Sequence, residues 1–200
     1  TSGHSLPFAV STRDDILSRQ LAQMFTRRLV VIDQALGTLI EQRDGHCPIV
    51  TIEFGGFADP QADILAEQSL HAFSTRDQLF DRTPDPMQIL QHPVRLELEP
   101  GHQLHYASTG QFDADITLFN TIDQLNFAKI QPGTSLGWLG KRGLQGLRVR
   151  SATGKDLTSA YFVEHNGLLT TCHPMTLFMA TTDPFVAAQD CLLYFTPESL

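Results

Sequence analysis

Two hundred residues, 42% hydrophobic and 18% charged, are enough for a substantial core and exclude a disordered chain. Fourteen Lys and Arg against twenty-two Asp and Glu leave a formal charge of −8, which repels phosphate backbones and makes nucleic acid an unlikely partner. No apolar run approaches the roughly 18–20 residues that span a bilayer, and three cysteines without paired spacing exclude a disulfide framework and point to a reducing, cytoplasmic compartment.

The chain opens at Thr1 without a charged-then-apolar leader, which reads as a trimmed or processed N-terminus. Leu6, Phe8 and Val10 alternate and predict a short strand or arm. From Thr12 to Gly45, apolar residues recur at steps of three or four (Leu17, Leu21, Met24, Phe25, Ile32, Leu36, Leu39, Ile40), the spacing of one helical stripe. Ser11 or Thr12 with Asp14 or Asp15 resembles a capping box, and Gly45 supplies a helix stop. A helix of that length would span roughly 45 Å, so most of its stripe is expected against the sheet, with a surplus through which a second copy of the chain could pair as a homo-oligomer. Arg27 and Arg28, midway along, should face solvent or meet acidic partners.

Pro48–Phe54 alternates β-branched and polar residues and predicts a strand. Asp59-Pro60 then offers an N-cap and a first-turn proline for a second helix reaching about Phe73, buried through Ile64, Leu65, Leu70 and Phe73. Pro84, Pro86 and Pro93 restrict the next stretch to short helices around Gln78–Arg82 and Pro86–Gln91. Beyond Val94, nine β-prone runs follow: 94–99, 102–108, 116–121, 126–130, 146–151, 160–164, 168–172, 175–180 and 191–195. Turn residues separate them, and Asn166-Gly167 is the strongest hairpin signal. The expected fold is α+β: a long N-terminal helix and a second helix packed on a mainly antiparallel sheet built largely by the C-terminal half. It is read as a single domain over 1–200, helix-rich over 1–93 and β-rich over 94–200.

The sharpest local pattern is Gly137-Trp138-Leu139-Gly140-Lys141-Arg142-Gly143, continuing to Gly146. A glycine-rich backbone can turn N–H groups onto an anion, with Lys141 and Arg142 adding charge and Trp138, Gly140 and Gly143 framing the ligand. The competing and preferred reading is a twisted or bulged strand pair, with glycine where another backbone or Trp138 packs closely. The Gly-Lys-Arg-Gly tetrad resembles the Gly-x-x-Gly loop of KH RNA-binding domains. That match covers four residues, with Pro132-Gly133 before it and strand-like Leu147–Arg150 after it where helices would be needed, and the chain is not assigned to that family.

Acid–base or nucleophilic chemistry would draw on His105, His165, Cys172 and His173 of the β-rich half. No spacing selects them, and neither His102/His105 nor Cys172/His173 has ligands on one strand face, so no metal site is assigned and the cofactor is left unknown. Glu97 and Glu99 share a strand face opposite Leu96 and Leu98, an ordinary half-exposed pattern. Phe112, Phe119, Phe127, Trp138, Phe162 and Phe178 could line an apolar pocket or simply fill the core. The favoured function is a non-catalytic small-ligand-binding or sensory, partner-binding module. An enzyme using the His and Cys residues, and an anion binder using the Gly-Lys-Arg-Gly loop, are the alternatives.

Overall fold

A computed structural model describes residues 3–33, 39–41, 47–56, 59–80, 83–111, 113–151 and 153–198. The chain divides into two compact units, Leu6–Pro93 and Thr1–Ser5 with Val94–Leu200. The fold mixes helices with antiparallel-rich sheets, and among the described residues no helix is long and apolar enough to cross a membrane.

The unit Leu6–Pro93 contains β1 (Phe8–Ser11), α1 (Ile16–Ala22), β2 (Arg28–Val31), β3 (Thr51–Glu53), α2 (Pro60–Ser74) and β4 (Gln88–Gln91). Its four-stranded sheet has the order β3-β1-β2-β4, with β1, β2 and β4 parallel and β3 antiparallel to β1. Parallel neighbours need a crossover, and α1 makes the one between β1 and β2. Ala9, Ala22 and Leu29 form a fully buried core, flanked by Val31, Val50, Ile52 and Met87.

The long helix expected over Thr12–Gly45 is corrected to the seven residues of α1, followed by strand β2. Asp15, rather than Ser11 or Thr12, is the N-cap, and its Oδ1 accepts the Ser18 N–H at 2.8 Å. The face of α1 that packs inward carries Ser18 and Ala22, one turn apart, while Leu17 of the predicted stripe is 37% exposed and its neighbour Ile16 60%. Of the predicted stripe only Leu17 and Leu21 lie in α1, because the helix ends at Ala22 and Met24 and Phe25 lie in the turn after it. Leu29-Val30-Val31-Ile32 is a continuous apolar run with three β-branched residues, which suits a strand buried on both faces. Leu36 and the Gly45 stop lie outside the described residues, and Leu39–Glu41 is a single 3-10 turn. At about 1.5 Å per residue, α1 is only about 10 Å long, which removes the surplus length on which self-association had been argued.

Arg27 pairs with Asp85 at 2.8 Å, and half-buried Arg28 reaches the Pro7 carbonyl at 3.4 Å. The second helix stands where expected, capped by Asp59 Oδ1 on the Gln61 N–H at 3.0 Å. Its packing is looser than its sequence implied: Ser69 is its buried residue, and Ile64 and Leu70 are exposed. Phe73 meets Phe25 with ring centroids 5.4 Å apart. The short helix expected over Pro86–Gln91 is corrected to β4, whose Ile89 and Leu90 continue the parallel sheet beside Leu29 and Val30. Arg82 of the other expected short helix lies outside the described residues.

The second unit holds β5 (Val94–Leu98), β6 (Leu104–Ala107), β7 (Ile116–Phe119), β8 (Lys129–Ile130), β9 (Ser135–Leu139) and β10 (Leu147–Arg148). It continues with α3 (Thr158–Tyr161), β11 (Phe162–His165), β12 (Leu168–Thr171), β13 (Met175–Phe178), α4 (Pro184–Gln189) and β14 (Leu193–Pro197). The strands form two five-stranded sheets, β10-β5-β14-β13-β8 and β11-β12-β9-β7-β6, antiparallel apart from the β6–β7 pair. Alternate residues of both meet in one core: Leu96, Leu177, Leu193 and Phe195 from the first sheet, Ile116, Leu118, Leu136, Phe162 and Leu169 from the second. This period-2 alternation makes the unit a face-to-face sandwich. Asn166 and Gly167, with φ of 52° and 76°, close the two-residue β11–β12 hairpin.

Candidate functional site

The outer face of β5 carries a set of charged side chains around a cavity. Because Leu96 points into the core, Arg95 and Glu97 must point the other way, and Glu99 continues their side just past the strand. Antiparallel register then chooses their neighbours: Arg148 of β10 lies opposite Glu97, and Tyr194 of β14 lies opposite Arg95. Arg148 donates from both Nε and Nη2 to Glu97 Oε2 at 2.8 Å, while Arg95 Nη2 meets Glu97 Oε1 at 3.0 Å. Two longer contacts of 3.4 Å join Arg148 Nη1 to Glu99 and Arg95 Nη1 to Asp190. These groups, with His102, line a groove of about 430 Å³, and the last turn of α4 (Ala187–Gln189) forms a wall.

His102 links this groove to the glycine-rich loop. The Glu99 carbonyl can only accept, so His102 Nδ1, 3.2 Å away, carries the proton, and Nε2 accepts from Arg142 Nη1 at 3.3 Å. Arg142 also reaches Asp115 through Nε at 3.6 Å. Beneath the groove, burial pushes the Tyr194 hydroxyl up to about 12 and raises the Cys191 thiol as well, with Asp190 adding to the latter.

The loop's glycines are explained by packing. A Cβ on Gly137 would lie 2.2 Å from the Thr117 carbonyl oxygen, and one on Gly140 would lie 2.3 Å from that of Ala114. Gly143 has φ of +56°. The neighbouring β9–β12 register shifts between Leu169 and Thr170. Trp138 meets Phe119 edge to face at 4.8 Å and covers Gly110, while Lys141 is exposed.

The four chemical candidates are spread out. His105 is exposed on β6 and His165 ends β11, the two opposite edges of one sheet; four strand spacings put about 19 Å between those edges. His165 Nε2 lies 3.2 Å from Asn166 Nδ2. Cys172 donates its backbone N–H to Tyr161 O at 2.8 Å, and burial raises its thiol. His173 packs edge to face on Tyr161 at 6.2 Å. The structure thus gathers Cys172 and His173 near Tyr161 and leaves His105 and His165 apart. Among the described residues no three His, Cys, Asp or Glu side chains are placed to hold a metal ion. The aromatic residues fall into separate clusters, Phe119 with Trp138, Phe127 with Phe178 and Tyr194, and Phe162 with Phe195, while Phe112 lies outside the described residues.

Sequence reading had placed Glu97 and Glu99 on one face but missed the groove. The available signal was Arg95 at the same period; Arg148 and Asp190 arrive through pairing across 51 and 95 positions, which no local pattern records.

No protein-family model matches the chain, and no curated protein matches it. Among solved structures it is similar to the ectoine utilization protein EutE (DoeB) from Ruegeria pomeroyi. The apo structure gives a TM-score of 0.42 at 13% identity, over 88% of this chain and 50% of that one. The product-bound structure gives 0.37 at 13% identity, over 86% and 55%. The chain spans about half the length of those proteins, and a likeness this weak carries no inference about ligand or activity.

Proposed function

We propose that the chain is a non-catalytic binding module that takes a small polar ligand in the β5–β10–α4 groove. One observation carries this reading: Glu97 holds two guanidiniums in fixed orientation along a cavity whose volume suits a small molecule. Prepositioned charged groups lose little freedom on binding and favour recognition of a polar partner. The anion-binding alternative is supported by Arg142 of the Gly-Lys-Arg-Gly loop, which lies outside the groove lining and hydrogen-bonds His102. The enzymatic alternative has less support, because its four candidates share no cleft. Three free cysteines suit the reducing, cytoplasmic setting that belongs to this reading.

The test is a ligand screen by amide NMR on the wild-type chain and on Arg148→Ala. Ligands should move the resonances of residues 95–102 and 187–190 in the wild type and bind the variant more weakly. A screen in which every binder leaves those resonances unmoved overturns the assignment.

A further inference from the structure

The groove's hydrogen-bonding groups are unevenly used, and this identifies the charge of its occupant. Every guanidinium nitrogen of Arg148 faces a carboxylate, and both terminal nitrogens of Arg95 do too, with Tyr194 as a further partner. The acceptors are far less committed. Glu99 has one 3.4 Å contact to Arg148, against the usual 2.7–2.9 Å or so of a charge-assisted bond, although a carboxylate offers about four acceptor positions. Asp190 has its own 3.4 Å contact to Arg95 and a bond with the Cys191 thiol, and its side chain remains 48% exposed.

Two guanidiniums stand against three carboxylates in the lining, so the groove carries an excess of one negative charge. The C-terminal turn of α4 adds the negative end of a helix to the same wall. An incoming anion would have to displace Glu97 from two short ion pairs, whereas an incoming cation displaces only the two long contacts.

Resting on the groove reading above, we infer that the ligand is a small organic cation, an alkylammonium or guanidinium compound, whose N–H groups are received by Glu99 and Asp190. Glu97 keeps its short ion pairs with Arg95 and Arg148, while the two 3.4 Å contacts to Glu99 and Asp190 give way to the cation.

The experiment is an amide NMR titration of the whole chain with n-butylammonium, 1,5-diaminopentane and methylguanidinium on one side, and succinate and inorganic phosphate on the other. The cations should shift residues 98–102 and 187–190. Glu99→Gln and Asp190→Asn, both at accessible positions and checked for folding by circular dichroism, should each weaken the cations by about tenfold or more, the scale of a charged hydrogen bond. Shifts with succinate or phosphate but none with the cations overturn the cation inference and leave the groove as a binding site. Unchanged cation affinity in both variants also overturns it. No groove shift with either class overturns the inference and the groove reading together.

Discussion

Glu97 is the residue on which the groove's geometry depends. Its side chain is only 16% exposed and answers two guanidiniums, so removing its charge leaves both without their short partner. Glu97→Gln should destabilise the β-rich unit by about 1–2 kcal/mol in urea unfolding, the middling cost of breaking a partly shielded ion pair. Tyr194 gives a second test. Its hydroxyl is raised from 10.0 to about 12, so the folded state holds the proton longer than the unfolded one. The stabilisation is complete below pH 10.0 and is lost as pH rises through about 12, a decline that phenolate absorbance and unfolding should report together. At this scale the sequence displayed what alternation alone can show, the shared face of Arg95, Glu97 and Glu99. Their partners Arg148, Tyr194 and Asp190 depend on register, which local spacing does not encode.

Elements were legible where their signals were local. Asp59-Pro60 opened α2, Asn166-Gly167 closed a hairpin, and each of the nine β-prone runs beyond Val94 overlaps a strand, while β9 falls outside all of them. The long helix failed because leucines at helical spacing also occur across a helix, a turn and a strand. The choice was made by Val30, Val31 and Ile32, whose branched side chains pack in a parallel sheet, and by Ser18 and Ala22, whose small size gives α1 a close-packing face without leucine. Strand β9 was half visible, its glycines marking close backbone approach without stating which backbone approaches. Gly137→Ala tests that account. A methyl group 2.2 Å from a strand carbonyl forces the sheet to shift, so the variant should lose about 2–3 kcal/mol, read as a lowered Tm, even though alanine is ordinarily the better strand residue.

At the scale of the whole chain, the sequence turns to short β-prone runs beyond Val94 but reads as one domain, whereas the chain divides into two compact units, one of them Leu6–Pro93. Less visible was that the β-rich half builds two sheets around one core: its runs alternate alike whichever sheet they join, and pairing order is a long-range property. The two-residue β11–β12 hairpin is also expected to act as a slow chemical clock. Gly167 has open space where a side chain would stand, so attack of its backbone nitrogen on the Asn166 amide carbon, with loss of ammonia and then hydrolysis, is expected to convert Asn166 to aspartate or isoaspartate. Each event makes the net charge of −8 one unit more negative, and isoaspartate lengthens the loop backbone by a methylene where two left-handed residues now suffice. Protein stored in mild alkali should therefore separate on isoelectric focusing into a ladder of ages, with its first acidic step missing from Asn166→Asp.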